Sequence, residues 1–505
     1  MSTDNSKKKS VIYLDNAGTT PINEEVLKTI FAWCKNAQNP SSSSKIAKES
    51  KEIIEKARKA MQSHCNAHKY KVVFTSCGSE SNCMIIKSAV ESYKRILKVT
   101  PTVIVSAIEH SSIMKCCESL EKNNLANICY IMPNIDGVIP VSSVELAINS
   151  HQNVAIISIM FANNELGSIN NIKEIGAITR RARIPLHVDA VQMFGKFVLD
   201  LEYHNIDALS ASFHKFNGPK GLGLLFIKDD LVDGYELEGQ ISGSQQFGLR
   251  AGTENVAFIA CSIVALTKAF ENRSEKTAKM YSQRKYVIEE LRKLYKFGNY
   301  ADYVLKGRQD FVDGSNTEFD ASYDGFVYDS EAPGEDVIKP RDPVELLLLG
   351  PGMEKAVLPN IITLAVIKNI ENNLGMFCNI KLKEELDANN CVVSIGSVCN
   401  TENKEASHVI KNIRAPPIVR RGIIRISLGD TTTKDELDRF IKIFDKAVKS
   451  QIFEPTKKES TPRKPREPKE MKETKKAKET SVSKPTKVST QKNKKLPVAK
   501  NKSIS

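Results

Sequence analysis

A strand–helix alternation running from residue 71 to residue 227 limits the architectures open to this chain. Candidate strands fall at residues 71–75, 103–106, 128–131, 154–160, 186–189, 208–212 and 224–227, each a short run rich in β-branched or apolar residues. Helical periodicity fills several of the gaps, at 80–93, 111–122 and 172–182. Such alternation predicts an α/β fold, with a mostly parallel sheet covered by helices on both faces. Sheets of this kind place their sites beyond the carboxyl ends of the strands. Polar clusters lie at those ends: residues 76–82, Glu109-His110, residues 163–167, 189–192 and 212–215. One cluster is ordinary loop chemistry, whereas five in succession predict a shared pocket.

Beyond the alternation, residues 255–294 read as a long helical region. Residues 298–341 lose periodicity and are rich in Asp, Gly, Tyr and Ser, the pattern of an irregular insertion. A smaller α+β unit follows, with strands at 361–366, 392–394 and 423–427. Its closing helix spans 433–449, with Thr433 as N-cap and Glu436 three residues on. After Phe453 no aromatic residue appears. Residues 455–505 hold 17 Lys/Arg and 5 Asp/Glu, a net +12 that leaves only +1 of the chain's +13 for the other 454 residues. This tail has no apolar face to offset its ordering entropy, so disorder is expected. A near-neutral body excludes a basic nucleic-acid-binding fold as the reading of the whole chain.

No apolar run reaches the roughly 18 residues that a membrane span needs. The first ten residues lack the apolar core of a secretory signal. Eleven cysteines without a framework spacing are expected to be reduced thiols of an intracellular protein. None has zinc-like spacing, so no metal site is expected. The vicinal Cys116-Cys117 reads as helix packing.

Four motifs suggest chemistry. Ser212-Phe213-His214-Lys215 ends a strand and precedes a glycine-rich turn. A Lys there can condense with an aldehyde if its pKa is lowered, although an exposed loop lysine is the plainer reading of Lys215 alone. Asp189, in His187-Val188-Asp189-Ala190-Val191-Gln192, can keep a pyridinium nitrogen protonated, or merely cap the next helix. Gln192 can donate to a phenolate oxygen. Gly78, Ser79 and the following helix start suit a phosphate, or Ser79 is a plain capping serine. Val393-Ser394-Ile395-Gly396-Ser397-Val398-Cys399 is a small-residue loop ending in a thiol, which is either a mobile nucleophile or a core cysteine.

In order and spacing these pieces resemble the cysteine desulfurases of the pyridoxal-phosphate-dependent class V aminotransferase family. The resemblance begins at Tyr13-Leu14-Asp15-Asn16-Ala17-Gly18-Thr19-Thr20-Pro21 and continues through Asn39-Pro40-Ser41-Ser42, Glu109-His110 and Ala162-Asn163-Asn164-Glu165-Leu166-Gly167. After the two strand-end motifs come Gly248-Leu249-Arg250-Ala251-Gly252-Thr253-Glu254-Asn255, Leu358-Pro359-Asn360, the Cys399 loop and Arg425-Ile426-Ser427-Leu428-Gly429. It covers roughly residues 11 to 450, the insertion apart.

The resemblance implies a fold type I pyridoxal-phosphate enzyme. Residues 1–10 would be a flexible N-terminus and 11–297 a large cofactor-binding domain, whose N-terminal segment contributes to the small domain. Residues 298–341 would be the insertion, 342–454 the small domain with the catalytic cysteine, and 455–505 the tail. Lys215 would hold the cofactor covalently. His110 would stack on its ring and move protons. Asp189 would pair with the ring nitrogen, and Asn164 and Gln192 with the phenolate side. Gly78, Ser79, Ser212 and His214 would hold the phosphate. Thr253 would reach the phosphate of a neighbouring subunit, which implies a homodimer. Arg425, with Asn164 beside it, would bind the substrate carboxylate, and Cys399 would take sulfur from L-cysteine, leaving L-alanine.

The persulfide would pass to an acceptor protein, for iron–sulfur cluster assembly or thio-modification, in the cytoplasm. Related readings are a selenocysteine lyase-like enzyme, or a silent homologue whose tail contacts nucleic acid non-specifically. The same basic tail is compatible with a nuclear address. The chain departs from the family pattern at Ser44, Cys77, Phe213, Ser244, Ala406 and Asp430. Phe213 and Cys77 are expected to enlarge side chains near the cofactor.

Overall fold

The computed structural model describes residues 10–35, 39–304, 344–352, 355–368, 377–395 and 407–452. Its strands are β1 (Ile12–Tyr13), β2 (Tyr70–Thr75), β3 (Thr102–Ser106), β4 (Asn127–Ile131), β5 (Val154–Ser158), β6 (Leu186–Asp189), β7 (Ala208–Ser212), β8 (Gly223–Lys228), β9 (Lys296–Asn299), β10 (Val344–Leu349), β11 (Ile361–Lys368), β12 (Cys391–Val392) and β13 (Ile423–Ser427). Seven form the main sheet in the order β2-β8-β7-β6-β5-β3-β4. Only β8 runs against its neighbours β2 and β7. The other six strands are parallel, so their carboxyl ends share one edge.

Helices cover both faces. Strand residues alternate between two cores: Val72 and Phe74 of β2 and Ile104 of β3 face one, whereas Val73, Val103 and Val105 face the other. Burial on both sides explains why these strands are continuous apolar runs. Two helices bear on the site, α1 (Gly78–Leu97) and α2 (Ser111–Lys122). In α2 the buried Ile113, Cys116, Cys117 and Leu120 recur at helical spacing on one stripe.

A second sheet has the order β13-β11-β10-β9. Leu346 and Leu348 of β10 face its own core with the C-terminal helix Lys434–Ile452, but Leu347 and Leu349 face the core of the main sheet. The body to Pro455 is accordingly one compact unit. The N-terminal strand β1 pairs with β12 in parallel, and Ile12 and Leu14 lie in the second sheet's core.

Several boundaries differ from the sequence reading. β9 pairs with β10 through Gly298 and Asn299, so ordered backbone extends past the expected start of the insertion at 298. Residues 305–341 of that insertion, residues 1–9, and the tail 455–505 lie outside the described residues. The helical region 255–294 is two helices, Val256–Phe270 and Arg273–Leu294, broken at Asn272 with φ 52°. The capping box at the C-terminal helix is formed: Glu436 N donates to Thr433 Oγ1 at 3.3 Å, and Thr433 N to Glu436 Oε2 at 2.8 Å. Among the described residues no helix is long and apolar enough to cross a membrane.

Candidate active site

The five polar clusters gather at the shared carboxyl edge of the parallel strands. Asp189 ends β6 and is 4% exposed. Its Oδ2 accepts from Asn82 Nδ2 at 2.8 Å and its Oδ1 from Val191 N at 2.9 Å. Lys215 follows β7 in a single 3-10 turn, Phe213–Lys215. Its Nζ donates to Ala17 O at 2.7 Å and Gly18 O at 2.6 Å. Burial, with Arg425 adding to it and Asp15 and Asp189 opposing it, pushes the Lys215 amine down to about 8. These four groups therefore share one electrostatic neighbourhood.

Arg425 lies on β13 of the second sheet. Its Nη2 pairs with Asp15 at 2.8 Å and its Nη1 donates to Asn164 O at 2.9 Å. Its buried Nε has no partner. The other sheet thus delivers a guanidinium to the Asn164 turn and the Asp15 segment.

His110 caps α2, with Nδ1 beside Ser112 Oγ at 2.9 Å. Its surface is accessible, yet the surrounding protein desolvates the ring enough to lower its pKa. Asp189 opposes that shift, and Lys215 and His408 add to it. His214 Nδ1 bonds Thr19 Oγ1 at 3.0 Å, and burial, reinforced by Lys215, lowers its pKa to about 4. Behind His110, Glu109 is wholly buried; its Oε1 accepts from Ser106 Oγ and from Met160 N at 2.6 Å. Burial raises its pKa well above the carboxylate range, with Asp189 adding to the rise.

The site can be tested for a pyridoxal phosphate. Ser212 Oγ, Gln192 Oε1 and Asn82 Oδ1 are buried polar atoms with no partner. The N-cap of α1, Cys77, makes no side-chain cap bond, so the first turn keeps N–H groups for an anion. At Gly78 a Cβ would lie 2.8 Å from Val191 Cγ2 and 3.4 Å from Ser212 Cβ, so a side chain would fill the cradle. Ser79 is the next residue of that turn. Unpaired donors and acceptors, a positive helix end and a depressed lysine together fit a phosphorylated pyridine aldehyde.

Of the residues expected from sequence, Gly78, Ser79, His110, Asn164, Asp189, Gln192, Ser212, His214, Lys215 and Arg425 lie on the strand-end turns or on β13 facing them. Thr253 is exposed and has no described hydrogen bond to this cluster. Cys399 lies outside the described residues. On its amino side, however, Ser394 pairs with Arg425, its N donating to Arg425 O at 3.1 Å. On its carboxyl side, Ser407 Oγ donates to Glu165 Oε1 at 2.8 Å and His408 Nε2 bonds Glu109 O at 2.8 Å.

Phe213 is fully buried against Phe216, ring centroids 5.1 Å apart, so its bulk is taken up by the core. Ser44 caps a helix, accepting from Ala47 N at 3.2 Å. Sequence reasoning assigned no role to Asn82, the partner of Asp189, or to Asp15, the partner of Arg425. Asn82 had one signal, an amide within an otherwise small and apolar helix face.

A doubly covered sheet with a lysine, a strand-end aspartate and an anion-binding helix start at one edge defines a fold type I pyridoxal-phosphate enzyme. The aminotransferase class-V family matches residues 12–323, and the chain belongs to that family. It is 31% identical over 442 residues to the cysteine desulfurase IscS of Clostridium botulinum, covering 87% of this chain and 95% of that one. Among solved structures it is similar to a NifS-like protein, with a TM-score of 0.67 and 25% identity over 87% of this chain and all of that one. It is similar too to SspA solved in complex with cysteine, with a TM-score of 0.60 and 26% identity over 83% of this chain and 99% of that one. Within the family the chain groups with the cysteine desulfurases, which work with pyridoxal phosphate.

Proposed function

We propose that this protein converts L-cysteine to L-alanine and leaves the sulfur as a persulfide on Cys399. The observation that carries the reading is the convergence of Lys215, Asp189, Asp15 and Arg425 on one buried neighbourhood. The overall change balances without an external oxidant or reductant: L-cysteine plus a protein thiol gives L-alanine plus a protein persulfide.

Lys215 would hold pyridoxal phosphate, with Asp189 at the ring nitrogen, His110 over the ring, Gln192 and Asn164 on the phenolate side, and Gly78, Ser79, Ser212 and His214 at the phosphate. When bound, the cofactor withdraws the electrons left by loss of the substrate's α-proton. Arg425 would hold the substrate carboxylate, because its Nε is unpartnered while Nη1 is held at the Asn164 turn and Nη2 at Asp15. The Lys215 amine, with its pKa near 8, can take a proton from the substrate Cα near neutral pH and return it. His110 is kept largely neutral by its surroundings and can accept a proton from the thiol chemistry beside it. Cys399 would attack the substrate sulfur. The anchoring of Ser394 at Arg425 and of Ser407 at Glu165 supports its placement in this reaction.

An acceptor protein thiol would then take the persulfide, for cluster assembly or thio-modification. The exposure of Thr253 supports a homodimer in which it serves the neighbouring subunit.

The test uses the full chain. Purified protein is expected to show a visible cofactor band and to release one alanine per cysteine consumed. Cys399→Ser should keep the band and lose alanine release, whereas Lys215→Ala should lose both. Alanine release that survives Cys399→Ser would overturn the persulfide route.

A further inference from the structure

Two cysteines outside the reaction above lie on α1 and α2, the helices that meet at Ser112. Cys83 lies in the first half of α1 and is partly exposed, whereas Cys116 lies on α2 and is 4% exposed. Cys83 Sγ donates to Ser112 O at 3.5 Å. In an α-helix the carbonyl of residue 112 also takes the N–H of residue 116, so Cys83 Sγ sits against the backbone of Cys116. The nearby Cys116 thiol, with the Lys87 ammonium one turn along α1, favours the thiolate at Cys83.

The residues beside this pair hold the site. Asn82 precedes Cys83, and its Nδ2 donates both to Asp189 Oδ2 at 2.8 Å and to Ser112 Oγ at 3.2 Å. Ser112 Oγ in turn meets His110 Nδ1 at 2.9 Å. The contact between α1 and α2 that Cys83 makes is thus the contact that orients Asp189 and His110.

We propose that Cys83 and Cys116 form a modification site, a dithiol that a hydroperoxide closes to a disulfide, and that closure loosens the hold of Asn82 on Asp189. The Cys83 thiolate takes the distal oxygen of the hydroperoxide, giving a sulfenic acid and releasing an alcohol, or water from hydrogen peroxide. The Cys116 thiol then displaces that oxygen as a second water, so the thiols lose two electrons and the peroxide gains them. A disulfide needs about 2.05 Å between sulfurs, which draws the two helices together one turn from Ser112. The link to Asp189 rests on the cofactor role proposed above; the disulfide itself does not.

The full-length protein carrying Cys399→Ser, which removes the competing nucleophile, is treated with hydrogen peroxide, alkylated and mapped by peptide mass. A Cys83–Cys116 cross-linked peptide is expected, two hydrogens lighter than the free pair and absent after reduction. The affinity for added pyridoxal phosphate should fall about tenfold on oxidation, the effect of one charged hydrogen bond. It should recover with dithiothreitol. Cys83→Ser or Cys83→Ala, at a partly exposed position, should abolish both effects. Irreversible sulfinic acid at Cys83 with no cross-link would overturn the site. A cross-link with unchanged affinity would overturn the coupling. Because mapping needs no bound cofactor, failure of the proposed reaction would leave the cross-link result intact and separable.

Discussion

Asp15 and Arg425 form an ion pair at 2.8 Å across 410 residues of sequence, and the arginine side chain is only 6% exposed. One guanidinium therefore ties the N-terminal segment, the second sheet and the Asn164 turn together. Asp15 keeps the cation oriented while leaving its Nε unpartnered.

Asp15→Asn should weaken that orientation without removing the cation. Asp15 is partly exposed, so solvent screens the loss to about 1–2 kcal/mol of stability, less than for a fully buried pair. KM for cysteine should rise about tenfold with a smaller change in kcat, read from initial rates and a urea titration. An unchanged KM would remove Arg425 from carboxylate binding.

Lys215 titrates near pH 8 in the folded protein, against roughly 10.4 in an unfolded chain. Between those values the unfolded chain binds more protons, so stability of the cofactor-free protein should rise with pH through that window. Lys215→Met should lack the rise and be more stable at pH 7 by about 2 kcal/mol. Denaturant unfolding at pH 7 and pH 10 compares the two.

Glu109 shows the opposite sign. Its folded pKa is raised, so above the ordinary glutamate range the native state binds more protons than the unfolded one. Its contribution to stability is complete in acid and declines as pH rises toward the folded value. Glu109→Gln can keep both Oε1 hydrogen bonds and removes the decline. Melting temperatures of the two proteins should agree near pH 4 and diverge in favour of the variant at pH 7–8.

Gly223→Ala should damage the phosphate turn from outside it. A Cβ at Gly223 would press into Thr75 Oγ1 and the Cys77 carbonyl, where no flexible side chain can give way. Overpacking of this kind costs about 1–3 kcal/mol. The cofactor affinity should fall with the melting temperature, whereas a drop in stability alone would separate the turn from the site.

The main sheet was legible because its strands are buried on both faces and its helices keep strict period. Strands 186–189, 208–212 and 423–427 and helices 111–122 and 172–182 match the observed limits. Periodicity ran unbroken across Asn272, so the left-handed turn there was hidden; the asparagine itself was the only signal. Strand β10 was missed because a short apolar run such as Val-Glu-Leu-Leu-Leu-Leu does not separate strand from helix by period. Lys215 and Asp189 stood out at strand ends in the sequence, whereas Arg425 was reached only through the family resemblance. The partners Asn82 and Asp15 were not legible, because a hydrogen bond between helix and strand, or between the two ends of the chain, leaves no local pattern. The approach of Cys83 to the backbone at Ser112 is of the same kind.

The pairing of β1 with β12 has a consequence for biosynthesis. Residues 12–18 are translated long before their partners, since their strand partner is residues 391–392 and their ionic partner is Arg425. The leading segment must wait, unpaired, while nearly four hundred residues are translated, a delay of tens of seconds at ordinary elongation rates. A truncated or stalled product holds Lys215 and Asp189 but lacks the arginine that completes their surroundings. A chain that stops short of Arg425 therefore lacks the cation that pairs with Asp15 beside Lys215.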